Sequence, residues 1–193
     1  MSSAGISTGV LLVVLLGVRQ PSIDLEIKLR TDPSLIVPGV GAEGIVIGEE
    51  YGAVLSRIGP PQRSARFPSR KDLFLDVYKQ KSPLEVRFDR ILYYDVKKVV
   101  VFLTAGRVSA IAGLDRHRVT VDAVNLDSGL NYFIFRYGNE GLHRAARGNS
   151  RCYIYAQEGI AVMDDGEDNI IDMYLVFPLR GDPDKGPARG LPR

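Results

Sequence analysis

Apolar and polar positions are patterned most clearly over residues 152–178, CYIYAQEGIAVMDDGEDNIIDMYLVFP. Residues 159–163 are a short apolar run and 164–169 an acidic turn carrying Gly166. Residues 170–177 then alternate, with Ile171, Met173, Leu175 and Phe177 on one face, which predicts a β-hairpin. Residues 94–111 have the same form earlier in the chain: an apolar strand over 99–103, a turn through Gly106 and a second strand over 108–112. A helical stripe precedes each hairpin. Tyr51, Val54, Leu55 and Ile58 fall at i, i+3, i+4 and i+7, with Glu49 and Glu50 in the first turn, where the helix dipole favours acid. This predicts a helix over residues 48–59, in which Gly59 takes the left-handed C′ position and Pro60-Pro61 forbid continuation. Leu130, Phe133, Ile134 and Tyr137 repeat the stripe over 128–138, with Asp127 or Ser128 as N-cap and Gly138 as the stop. Laid without gaps, Leu130 falls on Tyr51, Phe133 on Val54, Ile134 on Leu55, Tyr137 on Ile58 and Gly138 on Gly59. The order helix, glycine stop, polar loop, tyrosine strand, apolar strand, turn, strand occurs twice, as one unit used twice would require.

The remaining segments fill in this frame. Residues 22–30, SIDLEIKLR, alternate Leu25, Ile27 and Leu29 against charges, which predicts a half-buried antiparallel strand, and the Pro/Gly-rich passage 32–44 breaks it. Residues 62–71, QRSARFPSRK, are expected as a basic loop, with strands over 72–78 and 84–94 flanking a turn at 79–83. Residues 117–124 alternate as a further strand, and 139–151 form a second basic loop. At the N-terminus, the apolar centre 10–16 within residues 1–18 has the length of a signal-peptide h-region and is too short to span a bilayer as a helix. No Lys or Arg precedes it and no A-x-A-like site follows, so an N-terminal core strand, in a cytoplasmic protein, is the competing reading. The expected organisation is a leader or anchor over 1–20, a first α+β unit over 21–116, a second over 117–178 and a disordered tail over 179–193. The tail's Arg180-Gly181-Asp182 is read as a product of its Arg, Gly and Asp content rather than an adhesion motif.

Composition narrows the function classes. With 193 residues, 45% hydrophobic and 25% charged, the chain can bury a real core. A formal charge of +2 supplies no global field for nucleic acid. The single Cys152 excludes an intramolecular disulfide and a cysteine-built metal site. The two histidines, His117 at a strand start and His143 in a polar loop, have no serine-centred elbow nearby. The acidic turn Asp164, Asp165, Glu167, Asp168, Asp172 departs from the EF-hand loop, because Gly166 comes too early and no closing Glu follows; a solvated hairpin tip is the simpler reading. Gly39, Gly41 and Gly44 precede no G-K-[ST], and neither a cofactor motif nor metal-ligand spacing occurs.

The segment IVIGEEYGAVLSRIGPP, residues 45–61, resembles the BamE (SmpA/OmlA) group of small envelope proteins and the related tandem β-lactamase-inhibitor-protein architecture. Gly48, Val54, Gly59 and Pro61 match their glycine–valine–glycine–proline helix; the second unit keeps Gly138 but has Asp127 at the first glycine and no proline, and the lipid-attachment cysteine is missing. The resemblance implies an α+β, strand-rich fold of two tandem helix-then-antiparallel-sheet units and a non-catalytic role in the cell envelope, periplasmic or membrane-associated. The expected function is therefore a binding or assembly module contacting another envelope protein. Its surface would be one positive rim made by the two basic loops through Arg63, Arg66, Arg70, Arg144, Arg147 and Arg151, suited to acidic protein or anionic lipid headgroups. The alternative is a small hydrolase or ligand-binding enzyme using His117 or His143.

Overall fold

The structure, a computed structural model, describes residues 23–72, 86–140, 142–147 and 149–179. The leader or anchor, the strand reading of 73–78, the turn at 79–83 and the tail from 180 lie outside the described residues. The fold is strand-rich α+β. Its elements run α1 (Ile23–Thr31), β1 (Leu35–Val37), β2 (Gly41–Ala42), β3 (Ile45–Val46), α2 (Tyr51–Ile58), β4 (Arg63–Asp72), β5 (Arg87–Tyr94), β6 (Val99–Thr104) and β7 (Arg107–Gly113). There follow β8 (Val119–Thr120), α3 (Leu130–Tyr137), β9 (Leu142–Arg147), β10 (Ser150–Tyr155), β11 (Ile160–Asp164) and β12 (Met173–Val176).

The larger sheet has eight strands in the order β4-β5-β6-β7-β12-β11-β10-β9. Each unit is thus a helix followed by a four-stranded antiparallel meander. The two meanders meet through their last strands, Tyr174 opposite Gly113, Leu175 opposite Ala112 and Val176 opposite Ile111. Antiparallel pairing of equivalent strands is the topology of an approximate two-fold axis through the β7–β12 seam. A smaller sheet, β3-β2-β1-β8, has β8 parallel to β1. On one face of the large sheet Val54 of α2, Phe133 of α3 and Ile36, Ala42 and Ile45 of the small sheet share a core with Leu92, Tyr94, Val101, Tyr155, Val162 and Tyr174. The opposite face buries Phe88, Phe102, Ala112, Cys152, Ile154, Leu175 and Phe177. Burial on both faces explains the continuous apolar runs of the central strands, as in VVVFL.

The helices are seated in matching ways. At their C-termini Gly59 (φ 84°) and Gly138 (φ 79°) take positive φ and donate their N–H to Leu55 O and Ile134 O. Tyr94, the last residue of β5, donates its hydroxyl to Gly59 O at 3.2 Å; Tyr155, the last of β10, donates to Gly138 O at 3.0 Å. At their N-termini Tyr51 N donates to Gly106 O in the β6–β7 turn, and Leu130 N to Asn169 O in the β11–β12 connection. The first turn, Ala105-Gly106 at φ 50° and 78°, is the positive-φ pair that a two-residue hairpin loop favours.

Four expectations are corrected. Residues 22–30 are not a strand: Ile23–Thr31 is helical. Over nine residues the alternation also satisfies period 3.6, because Leu25 and Leu29 lie at i and i+4. Leu29 is buried against Val37, Val40 and Val46, while Ile23 and Ile27 are 72% and 53% exposed. Asp24 and Glu26 in the first turn and Lys28 and Arg30 in the last complement the helix dipole. The two basic loops are not loops. Residues 63–72 form edge strand β4, with Pro68 tolerated because no neighbour needs its missing N–H, and Leu142–Arg147 and Ser150–Tyr155 pair as β9 and β10. Of the strand expected over 117–124 only Val119–Thr120 is extended, since Ala123 at φ 61° turns the chain so that Thr120 N meets Val124 O. Finally, α3 is capped by Gly129, not by Asp127 or Ser128, which belong to a 3₁₀ turn (Leu126–Ser128) whose Asp127 N is held by the Asn125 side chain.

Candidate ligand-binding cleft

A cleft of about 440 Å³ opens where α1, the β2–β3 turn, the end of α2 and the corner between β5 and β6 converge. Arg30, Arg57, Lys97, Lys98 and Arg118 line it, against Glu43 and Asp115, with Pro33, Ile58, Val96 and Val99 as apolar wall. Two buried carboxylates anchor the guanidiniums. Arg118 forks onto Glu43 through Nε (2.7 Å to Oε1) and Nη2 (2.8 Å to Oε2), its Nη2 lies 3.3 Å from Asp115 Oδ2, and the Tyr174 hydroxyl donates to Glu43 Oε1 at 2.6 Å. Tyr174 crosses the seam to do so, and its ring fills the space a Cβ at Gly113 would need. Behind the wall Arg57 donates both to Glu49 and, at 2.6 Å, to Gly44 O, while Arg30 reaches Glu49 at 3.2 Å.

The two carboxylates shift in opposite directions. Burial pushes the Glu43 carboxyl up, and the Tyr174 hydroxyl and Arg118 only partly offset it. Burial also pushes at Glu49, but Arg57, the Val46 amide and Arg30 outweigh it and hold that carboxyl below its ordinary value. Burial pulls the Arg118 guanidinium down, but the charge and hydrogen bond of Glu43 together with the charge of Asp115 outweigh it, leaving it raised. Lys97 and Lys98, in contrast, are exposed and make no ion pair among the described residues. They sit on the 3₁₀ turn Asp95–Lys97, which Lys98 closes in left-handed conformation (φ 55°), its N–H donating to Asp95 O.

The residues singled out from sequence do not converge here. Arg63, Arg66 and Arg70 lie on β4 and Arg144 and Arg147 on β9, the two outermost strands of the eight-stranded sheet, with Arg151 on β10 next to β9. Six to seven strand spacings at roughly 4.8 Å separate the two groups by about 29 to 34 Å along the sheet, so Arg63, Arg66, Arg70, Arg144, Arg147 and Arg151 do not make one rim. Arg63 is held by Asp95 at 2.7 and 2.9 Å, Arg144 by Asn139 at 3.1 Å, and Arg151 by the buried carboxylate of Asp164. Arg66 is exposed; the side chains of Arg70, Arg147 and His143 lie outside the described residues. Charged side chains along sheet edges oppose edge-to-edge pairing, which accounts for this composition without a ligand.

His117 pairs through Nδ1 with Asp127 Oδ2 at 2.7 Å, yet its side chain is 78% exposed and it meets no nucleophile among the described residues. Cys152 is buried and its thiol is pushed up to about 12 by desolvation, which suits packing rather than attack. Carboxylate oxygens of Asp164, Asp165 and Asp172 come within 4.8 Å of one another. They are committed to turn chemistry: Asp164 Oδ1 accepts from Gly166 N, Asp165 Oδ1 from Glu167 N and Asp172 Oδ2 from Asp165 N, while Arg151 neutralises Asp164.

No protein-family model matches the chain and no curated protein is similar to it in sequence. Among solved structures it is similar to an extracellular protein containing an SCP domain from Bacillus anthracis str. Ames, with a TM-score of 0.41 at 10% identity, over 68% of this chain and 44% of that one. The chain therefore spans less than half of that neighbour, and a likeness so distant carries no functional argument. No helix among the described residues is long and apolar enough to cross a membrane.

Proposed function

We propose that this chain is a non-catalytic binding or assembly module of the cell envelope that contacts another protein. The observation that carries the binding reading is the cleft lined by fixed positive charge. Arg30, Arg57 and Arg118 are positioned by buried carboxylates, and arginine and lysine stay charged at neutral pH, so the groups gathered there recognise anions rather than shuttle protons. The envelope address rests on the leader-like run at 10–16 and on the BamE-like helix pattern at 45–61. The experiment is purification of the tagged full-length chain from native cells after fractionation, with identification of what co-purifies and assay of the preparation for hydrolysis. Recovery in the envelope fraction with a stoichiometric partner is the expected result. Recovery in the cytosol, or turnover abolished by His117→Ala, would overturn the proposal and favour the hydrolase alternative.

A further inference from the structure

Resting on the reading of this chain as a binding module, we propose that the cleft holds a phosphate monoester, with Lys97, Lys98, Arg30 and Arg118 supplying the donors and Ile58, Val96 and Val99 taking the apolar part of the ligand. Five cationic side chains line the cleft against two carboxylates, and counting Glu49 behind the wall still leaves a positive surplus, enough for a dianion. The form of the remaining donors chooses the anion. Arg118 has spent its Nε–Nη2 edge on Glu43, and Arg57 has spent both terminal nitrogens on Glu49 and Gly44, so their bidentate forks are no longer free for a planar carboxylate. What is left comes from separate segments: Nη1 of Arg118 before β8, the Nε–Nη2 edge of Arg30 on α1, whose Nη1 alone is used by Glu49, and the ammonium groups of Lys97 and Lys98, which make no ion pair among the described residues. One guanidinium edge, a further N–H and two point charges converging from several sides, with a surplus of positive charge, suit a compact dianion with three terminal oxygens better than a single carboxylate.

The carboxylates do not contradict this. Glu43 is occupied by Arg118 and Tyr174, and Asp115 faces Arg118 and the His117 N–H, so both act as fixed counter-charges that hold Arg118 in place. The cleft's 440 Å³ falls within the range of small-molecule sites and exceeds what a bare phosphate fills. Val96, 84% exposed beside the two lysines, offers apolar surface at the mouth.

The test uses the full chain and defined probes: isothermal titration with sn-glycerol 3-phosphate, inorganic phosphate and acetate, and sedimentation with phosphatidylcholine vesicles containing or lacking phosphatidic acid. The expected result is saturable binding of a phosphate probe, with acetate inert. Lys97→Gln/Lys98→Gln, which alters exposed side chains and leaves the fold intact by circular dichroism, should weaken it about tenfold. Arg144→Gln on β9, at the far edge of the sheet, should leave it unchanged. Binding of the soluble esters identifies a free phosphorylated compound; binding only to phosphatidic acid vesicles, lost in the double variant, identifies a lipid headgroup. Absence of binding to every phosphate probe, equal binding of acetate, or binding indifferent to the lysine variant would overturn the proposal. Release of inorganic phosphate from the ester would instead sink the non-catalytic reading while leaving the site in place.

Discussion

The first unit seats its helix mainly through the backbone, and the second mainly through aromatic packing. Around α2, Gly48 N donates to Val108 O, Val108 N to Glu49 O and Tyr51 N to Gly106 O, and Arg107 reaches both Gly48 O and Glu50. The residues beneath are Val54, Ile58 and Tyr94. Around α3 the corresponding entrance is one bond, Leu130 N to Asn169 O, because residues 165–172 between β11 and β12 replace the two-residue turn of the first unit. Here Phe133, Tyr137 and Tyr155 pack ring to ring, with centroids 4.5 to 5.8 Å apart. A tight turn presents its backbone to the incoming helix, whereas a long acidic connection spends its hydrogen bonds on itself and leaves the helix to be held by buried area. The lesson is that the unit is defined by what recurs, the glycine stop and the tyrosine that bonds to it, while the means of closing the helix entrance is free to vary.

The largest expected effect separates these two modes of closure. Phe133→Ala should cost about 4 kcal/mol and Val54→Ala roughly 2 kcal/mol in urea melts, because the larger ring leaves the larger cavity. Equal losses would mean that the aromatic cluster is not the second unit's anchor. Next comes the seam shared by both units. Gly113→Val forces a side chain into the Tyr174 ring and should cost about 3 kcal/mol by overpacking, where Ser109→Val, elsewhere on β7, serves as a reference for the added methyl groups. A third pair sharpens the equivalence: Tyr94→Phe and Tyr155→Phe each remove one hydroxyl bond to a stop glycine and should each cost about 1 kcal/mol, with a difference larger than that total arguing against matched roles.

The smallest effect is in pH dependence, and it probes the cleft. Glu49 has a folded-state pKa below its ordinary value of 4.5, so the folded state releases protons more readily than the unfolded chain; its stabilisation is complete above 4.5 and is lost as pH falls through the lowered value. Glu43 is raised above 4.5, so the sign reverses: stability falls as pH rises from 4.5 through the raised value. Denaturant titrations across that range should therefore flatten on the acid side for Glu49→Gln and on the alkaline side for Glu43→Gln. The same side for both would contradict the assigned environments.

Much of this frame was legible in the chain because its signals are local. The stripes Tyr51–Ile58 and Leu130–Tyr137, the glycines that stop them and the two hairpins each declare themselves within a dozen residues. Where the reading failed, the deciding contacts are distant. Leu25 and Leu29 fit either period until Val37, Val40 and Val46 are brought beside them. The arginines of β4 and β9 look like loop residues because an edge strand has a wet side and a missing neighbour, and only pairing with β5 and β10 makes them extended. Strands of two or three residues, such as β2 and β3, are too short to show a period. The cleft was invisible for a related reason: Arg30, Glu43, Arg57, the Lys97-Lys98 pair and Arg118 form no motif, since they come from five different turns or element ends. A surplus of Lys at a turn, as in Asp95-Val96-Lys97-Lys98, was the only local trace of it.

Native-state hydrogen exchange at the β7–β12 seam tests most directly whether two equal units make one body. If they do, the amides that pair Ile111, Ala112 and Gly113 with Val176, Leu175 and Tyr174 exchange only through global unfolding, with the same opening free energy and denaturant slope as the central strands β6 and β11. Seam amides that open at a lower free energy while the β5–β6 and β10–β11 ladders stay protected would show two units that merely abut, and would contradict the account.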